Sequence, residues 1–328
     1  LLAVTPLHAH HSDAGLDMES IVAFEGTVNE FVFRNPHTYV SIRQTDEQGE
    51  AVDWDLQMSP VNILSRRGWR RNTLEPGDLV TVRAHVAIDG RPYGVIESID
   101  KPGGLGLVTP AGATQAQATT TTIEGKWMSD RGATMNYPGG FDGFFHALMM
   151  PNEAGRAAQA AYDPLSDENP EATCIGRPTP AALVSSSIYL MEIDIREDED
   201  IVYIRSESFG EERTVYTDGR EHPEPSERFA TGHSIGWWDG DTLVVDTRNF
   251  TDHRSPYQIG IPSGGQKHVV ERYTLTEDGT RIDMEFMLED PEYLAEPMAH
   301  SRPLFYMPHL NMFPGECDPE ATRRFLAD

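Results

Sequence analysis

The stretch GHSIGWWDGDTLVVDT, residues 232–247, places a histidine, two tryptophans and three aspartates in what reads as one hairpin. Asp-Gly is a favoured two-residue hairpin connection. With Asp239-Gly240 as the turn, His233 faces Asp246 and Trp237 faces Thr242. Opposed Cβ atoms in such pairs lie about 4.5–5.5 Å apart, close enough for an imidazole–carboxylate hydrogen bond. A carboxylate there would fix the His233 tautomer and raise its basicity, the arrangement of a general base. The same pair could equally staple two strands and do no chemistry. Trp237 shares the His233–Asp246 face, and His222 follows the DGR turn at an expected barrel rim.

A second hairpin adds a carboxylate. With Asp278-Gly279 as its turn, one face reads Val269, Glu271, Tyr273, Leu275, Ile282, Met284, Phe286 and Leu288. Glu271 stands alone among apolar neighbours, opposite Phe286. A buried charge costs several kcal/mol unless paired, so Glu271 is either an acid–base group with a raised pKa or half of an internal ion pair. Arg213 is the candidate partner. Counting around Phe209-Gly210 sets Arg213 opposite Ser206 and Tyr203 opposite Tyr216. The catalytic set expected from the sequence is therefore His233, Asp246 and Glu271, with Arg213, Tyr216, His222, Trp237 and Tyr273 touching the ligand.

Metal chemistry has its own candidates. Cleavage after Ala9 would leave a chain starting His10-His11-Ser12, whose free amine and imidazoles can chelate Cu(II), with His37 completing the site. Met298, His300, Met307, His309 and Met312 are further soft or imidazole donors. Against this, His37 in its Asn-Pro-His turn can simply cap backbone groups, and methionines among Leu, Phe and Tyr usually fill cores. No nucleophile elbow, phosphate loop, zinc helix or dinucleotide fingerprint occurs, so no other cofactor is expected.

These residues need a β scaffold to position them. The chain has 328 residues, enough for two cores, and carries Asp+Glu 53 against Lys+Arg 26, a formal charge of −27. Such a surface repels phosphate backbones and argues against nucleic-acid binding. The opening LLAVTPLHA resembles the end of a signal peptide. No stretch reaches the roughly 18 apolar residues of a membrane helix. A periplasmic or secreted location is expected, and a disulfide between Cys174 and Cys317 suits it, two buried thiols being the alternative.

Residues 102–122, rich in Gly, Thr and Ala, read as a linker between two β-rich regions. In the first, 10–101, five short strands and a helix at SPVNILSRRGW suit a small OB-type barrel. The second, 123–328, opens with Gly125-Lys126-Trp127 and continues as a meander. About eight strands fit a lipocalin-like up-and-down antiparallel barrel, with a helix inserted at 152–162. The expected fold class is all-β.

NPHTY (35–39), RRGWRRNTLEPGD (66–78), DGREHPE (218–224) and the 232–247 stretch resemble a family of secreted bacterial two-domain proteins of unknown function, whose mature chains often begin His-His-Ser. The resemblance implies a shared fold and export, and brings no reaction with it. The expected function is binding of a small, largely apolar molecule in the C-terminal barrel, with cofactor-free isomerase, lyase or hydrolase chemistry left open. A periplasmic copper module and a structural subunit of a cell-envelope assembly are the alternatives.

Overall fold

A computed structural model describes residues 15–45, 49–103, 116, 118–313 and 317–326. Most of the 102–122 segment, and all of 1–9 with His10 and His11, lie outside the described residues.

The fold is two closed β-barrels. The small barrel uses β1 (Val22–Val32), β2 (Thr38–Thr45), β3 (Ala51–Met58), β4 (Leu79–Val86) and β5 (Tyr93–Asp100), in the order β1-β2-β3-β5-β4. Helix α1 (Val61–Arg66) stands between β3 and β4, where SPVNILSRRGW placed it. Period-2 alternation turns Val80, Val82 and Ala84 of β4 into the core. They meet Phe24, Val40, Ile42, Leu56 and Trp69 there.

The large barrel has nine strands. They are β6 (Gly125–Ser129), β7 (Met191–Arg196), β8 (Ile201–Ser206), β9 (Glu212–Tyr216), β10 (His233–Asp239), β11 (Thr242–Arg248), β12 (His268–Leu275), β13 (Arg281–Glu289) and β14 (Met298–Tyr306). Each pairs with its chain neighbour, and β14 closes antiparallel on β6. One junction, β9 with β10, is parallel, because residues 217–232 recross the barrel before β10 begins. Trp127 of the Gly-x-Trp strand is fully buried and donates from Nε1 to the Ile123 carbonyl at 2.8 Å. Gly279, at φ +64°, leaves its carbonyl to accept from the Thr120 N–H at 2.9 Å, which anchors the start of this domain to the β12–β13 turn.

The β6–β7 insertion carries the expected helix as α4 (Glu153–Ala160), with Asn152 capping the Gly155 N–H at 3.0 Å. It also carries α2 (Gly132–Met135), α3 (Gly140–Leu148) and α5 (Ala181–Val184). Phe141, Phe144 and Phe145 of α3 enter the large core, and Phe145 meets Tyr257 at 5.0 Å. The 255–261 loop supplies Tyr257, Ile259 and Ile261 to the same core. This end of the barrel is therefore stoppered by apolar side chains. Among the described residues no helix is long and apolar enough to cross a membrane.

The barrels are bolted together by one buried carboxylate. Glu207, 1% exposed, accepts from Asn62 Nδ2 at 3.0 Å and the Leu190 N–H at 2.8 Å through Oε2. Its Oε1 accepts from Arg66 at 2.5 Å and the Phe313 N–H at 2.9 Å. Asn62 and Arg66 belong to α1 of the small barrel. A neutral amide would lose the charge-assisted bond to Arg66 and leave an N–H facing a donor. Glu207→Gln is expected to lower unfolding free energy by about 2 kcal/mol and to expose the junction to limited proteolysis. Unchanged cleavage and stability would show that the bolt carries no load.

The C-terminal tail fastens the same junction. Cys174 and Cys317 form the expected disulfide. Beyond it, Asp318 pairs with Arg34 at 2.6 Å, and Phe325 packs with Tyr39 and Tyr93 of the small barrel.

Candidate functional site

The proposed His233–Asp246 pair does not form. In the β10–β11 ladder Asp239 faces Thr242, so the turn is Gly240-Asp241 and not Asp239-Gly240. Gly240 takes φ +63°, which suits the first central position of a II′ connection. Every partner moves by two, placing His233 opposite Arg248 and Asp246 opposite Ile235. A shift of two keeps parity, so the same residues share each face in both registers. Their orientation decides the matter: Ser234, Leu243, Val245 and Thr247 are fully buried inside, leaving His233, Asp246 and the exposed Trp237 outside.

Outside the barrel, His222 joins the two residues. Its Nδ1 lies 3.0 Å from His233 Nδ1, and its Nε2 lies 3.0 Å from Asp246 Oδ1. Asp246 Oδ2 meets His268 Nε2 at 2.8 Å, and His268 Nδ1 reaches Glu289 at 3.1 Å. Burial acts to raise the Asp246 carboxyl, but His268 and Arg248 outweigh it and hold the group well below the usual carboxylate range. Burial, and then His222 and Arg220, lower His233. Tyr216 stacks on His233 at 5.3 Å and lies under the Arg220 guanidinium at 3.8 Å. This is a chain of mutually satisfied groups lacing β10, β11, β12 and β13 to the 217–232 crossover.

Glu271 is where the sequence placed it, fully buried inside the barrel, opposite Phe286. Arg213 grips it through two parallel bonds of 2.8 and 2.6 Å, Tyr273 donates to it at 2.8 Å, and the Thr179 hydroxyl donates as well. Four donors leave the carboxylate no open position for a substrate proton, so the ion-pair alternative describes it. Arg213 also donates to Thr247 at 3.1 Å. It lies opposite Ile204 and not Ser206, and Tyr216 faces Ile201 and not Tyr203. The reason is a 3-10 turn at Ser208–Gly210 with Phe209 at φ +56°, which brings the Ser206 N–H to the Glu211 carbonyl at 2.8 Å.

Two further charged residues share this interior that the sequence reading missed, and strand parity is the signal that finds them. Lys267 precedes Val269, Glu271 and Tyr273 at spacing two, and Glu211 precedes Arg213 and Val215 in the same way. Lys267 is 1% exposed, its Nζ lies 4.3 Å from the Phe250 ring centroid, and it has no hydrogen-bond partner among the described residues. Burial pushes it down to about 7, against the pull of Asp290 and Glu211. Glu211 is partly buried as a residue, but its Oε2 is enclosed and likewise unpartnered. Burial pushes this carboxyl up to about 8, although Arg213 and Lys267 favour its ionised form. Burial also lowers neighbouring His253 to about 4. Its Nδ1 accepts from the Ser255 N–H at 3.3 Å, which assigns the proton of the neutral ring to the enclosed Nε2.

The raised Glu211 carboxyl has a consequence for stability. Between the ordinary value of 4.5 and about 8 the folded state holds a proton that the unfolded state has lost. Its stabilising contribution is complete below pH 4.5 and disappears as pH rises to 8. Urea midpoints of Glu211→Gln should decline less across that window than those of the wild type. Parallel profiles would place the titration elsewhere.

The polar interior approaches the surface at a crevice of about 270 Å³ between the barrels. The small barrel contributes His37, Gln57, Met58 and Ile63, and the large barrel Arg131, Met135, Phe141, Glu171, Arg177 and Gln258. Arg177, 7% exposed, forms an ion pair with Glu171 and lies 4.5 Å over the Phe141 ring. Gln258, 2% exposed, donates to Glu171 at 2.6 Å. Arg177 Nε and Gln258 Oε1 remain buried without partners among the described residues. Arg177 also feels the charge of Glu211, so crevice and interior share one electrostatic field.

Among the other expected residues, Tyr273 is buried beside Glu271, and His37 lines the crevice. Among the described residues no group of three or more His, Cys, Asp or Glu could hold a metal ion. The copper reading rests on His10 and His11, which lie outside them.

Residues 1–96 match a family of unknown function, DUF6152. That span includes the crevice residues His37, Gln57, Met58 and Ile63. No curated protein and no solved structure matches the chain.

Proposed function

We propose that the protein binds a small, partly apolar molecule in the crevice between its barrels. The observation that carries this reading is the convergence on one crevice, from both barrels, of apolar Met58, Ile63, Met135 and Phe141 with polar Arg131, Glu171, Arg177 and Gln258. Small-molecule sites typically combine apolar walls with a few convergent polar groups. The interior of the large barrel, favoured by the sequence alone, is less suited because Phe144, Phe145 and Tyr257 fill it. The disulfide is in keeping with export to an oxidising compartment.

Ile63→Trp places an indole in the crevice from the partly exposed face of α1. Native mass spectrometry of protein purified from its own source should show a bound small molecule in the wild type and none in this variant. Circular dichroism provides the control that both are folded. Equal occupancy in the two proteins, or none in the wild type, would overturn the reading.

A further inference from the structure

The 217–232 crossover touches both sides of the weakest seam in the large barrel. β9 and β10 share two partner pairs, Ser234 with Val215 and Ile235 with Tyr216, fewer than any other junction of that barrel. His222 fastens the crossover there. Its Nε2 lies 3.0 Å from Asp246 Oδ1 on β11, and its Nδ1 lies 3.0 Å from His233 Nδ1 on β10. Counting hydrogens fixes the protons. Burial opposes the charge on Asp246, but His268 and Arg248 keep it ionised. The carboxylate can therefore only accept, and His222 Nε2 carries a hydrogen. A neutral His222 then turns a bare Nδ1 to His233 and accepts from its Nδ1–H. One added proton leaves this bond intact, on His233 Nε2 directly or on His222 Nδ1 with a change of the His233 tautomer. A second cannot be placed. Both Nδ1 atoms would be donors, 3.0 Å apart, on two imidazolium rings.

The surroundings do not neutralise that second charge. Asp246 already serves Arg248 at 3.1 Å and His268 at 2.8 Å, and Glu289 of β13 serves His268 at 3.1 Å. Asp218 is occupied by Arg220 at 2.6 Å, and Arg220 lies over Tyr216, the phenol stacked on His233. The remaining ring against His233, Phe229, carries no charge. We infer that His222 and His233 form an acid-released latch, which holds residues 218–222 on β10 and β11 with one added proton or none and lets them go at the second. Linkage gives the direction. Burial, and then His222 and Arg220, lower His233. A group lowered on closing supports the closed state fully above its ordinary value of 6.5, and that support is lost as pH falls below it. The opening is local, because groups that do not titrate hold its flanks. The Thr217 N–H stays on the Asp200 carbonyl at 2.8 Å, and Asn249 holds the Pro223 and Glu224 carbonyls at 3.1 and 3.2 Å.

Parallel digestion of the full chain and of its His233→Asn variant with glutamyl endopeptidase, at about pH 7.5 and about pH 5, tests the latch. The bond to be cut, Glu221–His222, is fixed by the His222 ring. An asparagine amide can donate to His222 Nδ1 or, turned over, accept from it, and it takes up no proton. Cleavage after Glu221 should agree in the two proteins within about threefold at the higher pH and be about tenfold faster in the wild type at the lower one. The protease's own pH dependence cancels in the comparison. Agreement within about threefold at the lower pH as well would overturn the latch. If His233→Asn is already cut faster than the wild type at the higher pH, the amide has not replaced the imidazole, and ring-labelled histidine NMR of the wild type decides. The contact between the His222 and His233 rings should vanish as the second of them becomes doubly protonated. A contact that persists with both rings charged, or rings that do not both charge by about pH 5, would overturn the latch.

Discussion

Glu271→Gln will lower the unfolding free energy by about 3–5 kcal/mol, the cost of stripping one partner from a buried ion pair. The amide cannot neutralise Arg213, which is 3% exposed and has no water-facing route for its charge. It also turns an N–H toward a guanidinium, Tyr273 or Thr179, all of which donate to the carboxylate. The double replacement Glu271→Leu with Arg213→Met should recover most of the loss, because a buried pair exchanged for apolar residues of similar volume is often neutral or stabilising. Urea titration of the three variants measures this. A loss below about 1 kcal/mol for Glu271→Gln would show that the Arg213–Glu271 pair does not hold the barrel interior together.

Replacing Cys174 and Cys317 by serine will cost about 2–5 kcal/mol. The bridge closes a loop of sequence separation 143, near the upper end of the chain-entropy scale. Its removal also frees a tail that works at the junction. Thr322 donates to the Ala172 carbonyl at 3.1 Å, and Arg324 reaches Asp55 of the small barrel at 3.2 Å. The double serine variant should therefore lose stability and admit protease at the tail before the barrels. Equal stability of variant and wild type would mean that the tail docks without its covalent tether.

Glu271 and the disulfide were legible in the sequence for definite reasons. The β12–β13 turn is built on Asp278-Gly279 as read, so period-2 counting fixed which side chains share the interior. Lys267 follows the same parity one residue before the strand, where a strand-bounded reading of the pattern ends. The β10–β11 hairpin failed on a subtler point. Asp239-Gly240 and Gly240-Asp241 are both acceptable two-residue turns, and parity cannot separate registers two apart. Nor could composition orient the sheet, since apolar residues lie on both faces. Val244 is buried on the outer face, and Trp237 and Trp238, on opposite faces, are each 47% exposed. The crevice was beyond any local pattern. It depends on how two barrels dock, through contacts such as Asn62 with Glu207 that lie 145 residues apart in the chain.

An experimental electron-density map of protein purified from its own source, calculated around Arg177 and Gln258, bears most directly on the claim that the crevice is a ligand site. The expected result is connected organic density against Met58, Ile63 and Met135, with a polar end within hydrogen-bond distance of the Arg131, Arg177 or Gln258 side chain. Ordered water molecules alone, in a crevice that no added small molecule enters, would make it a hydrated structural seam and contradict the claim.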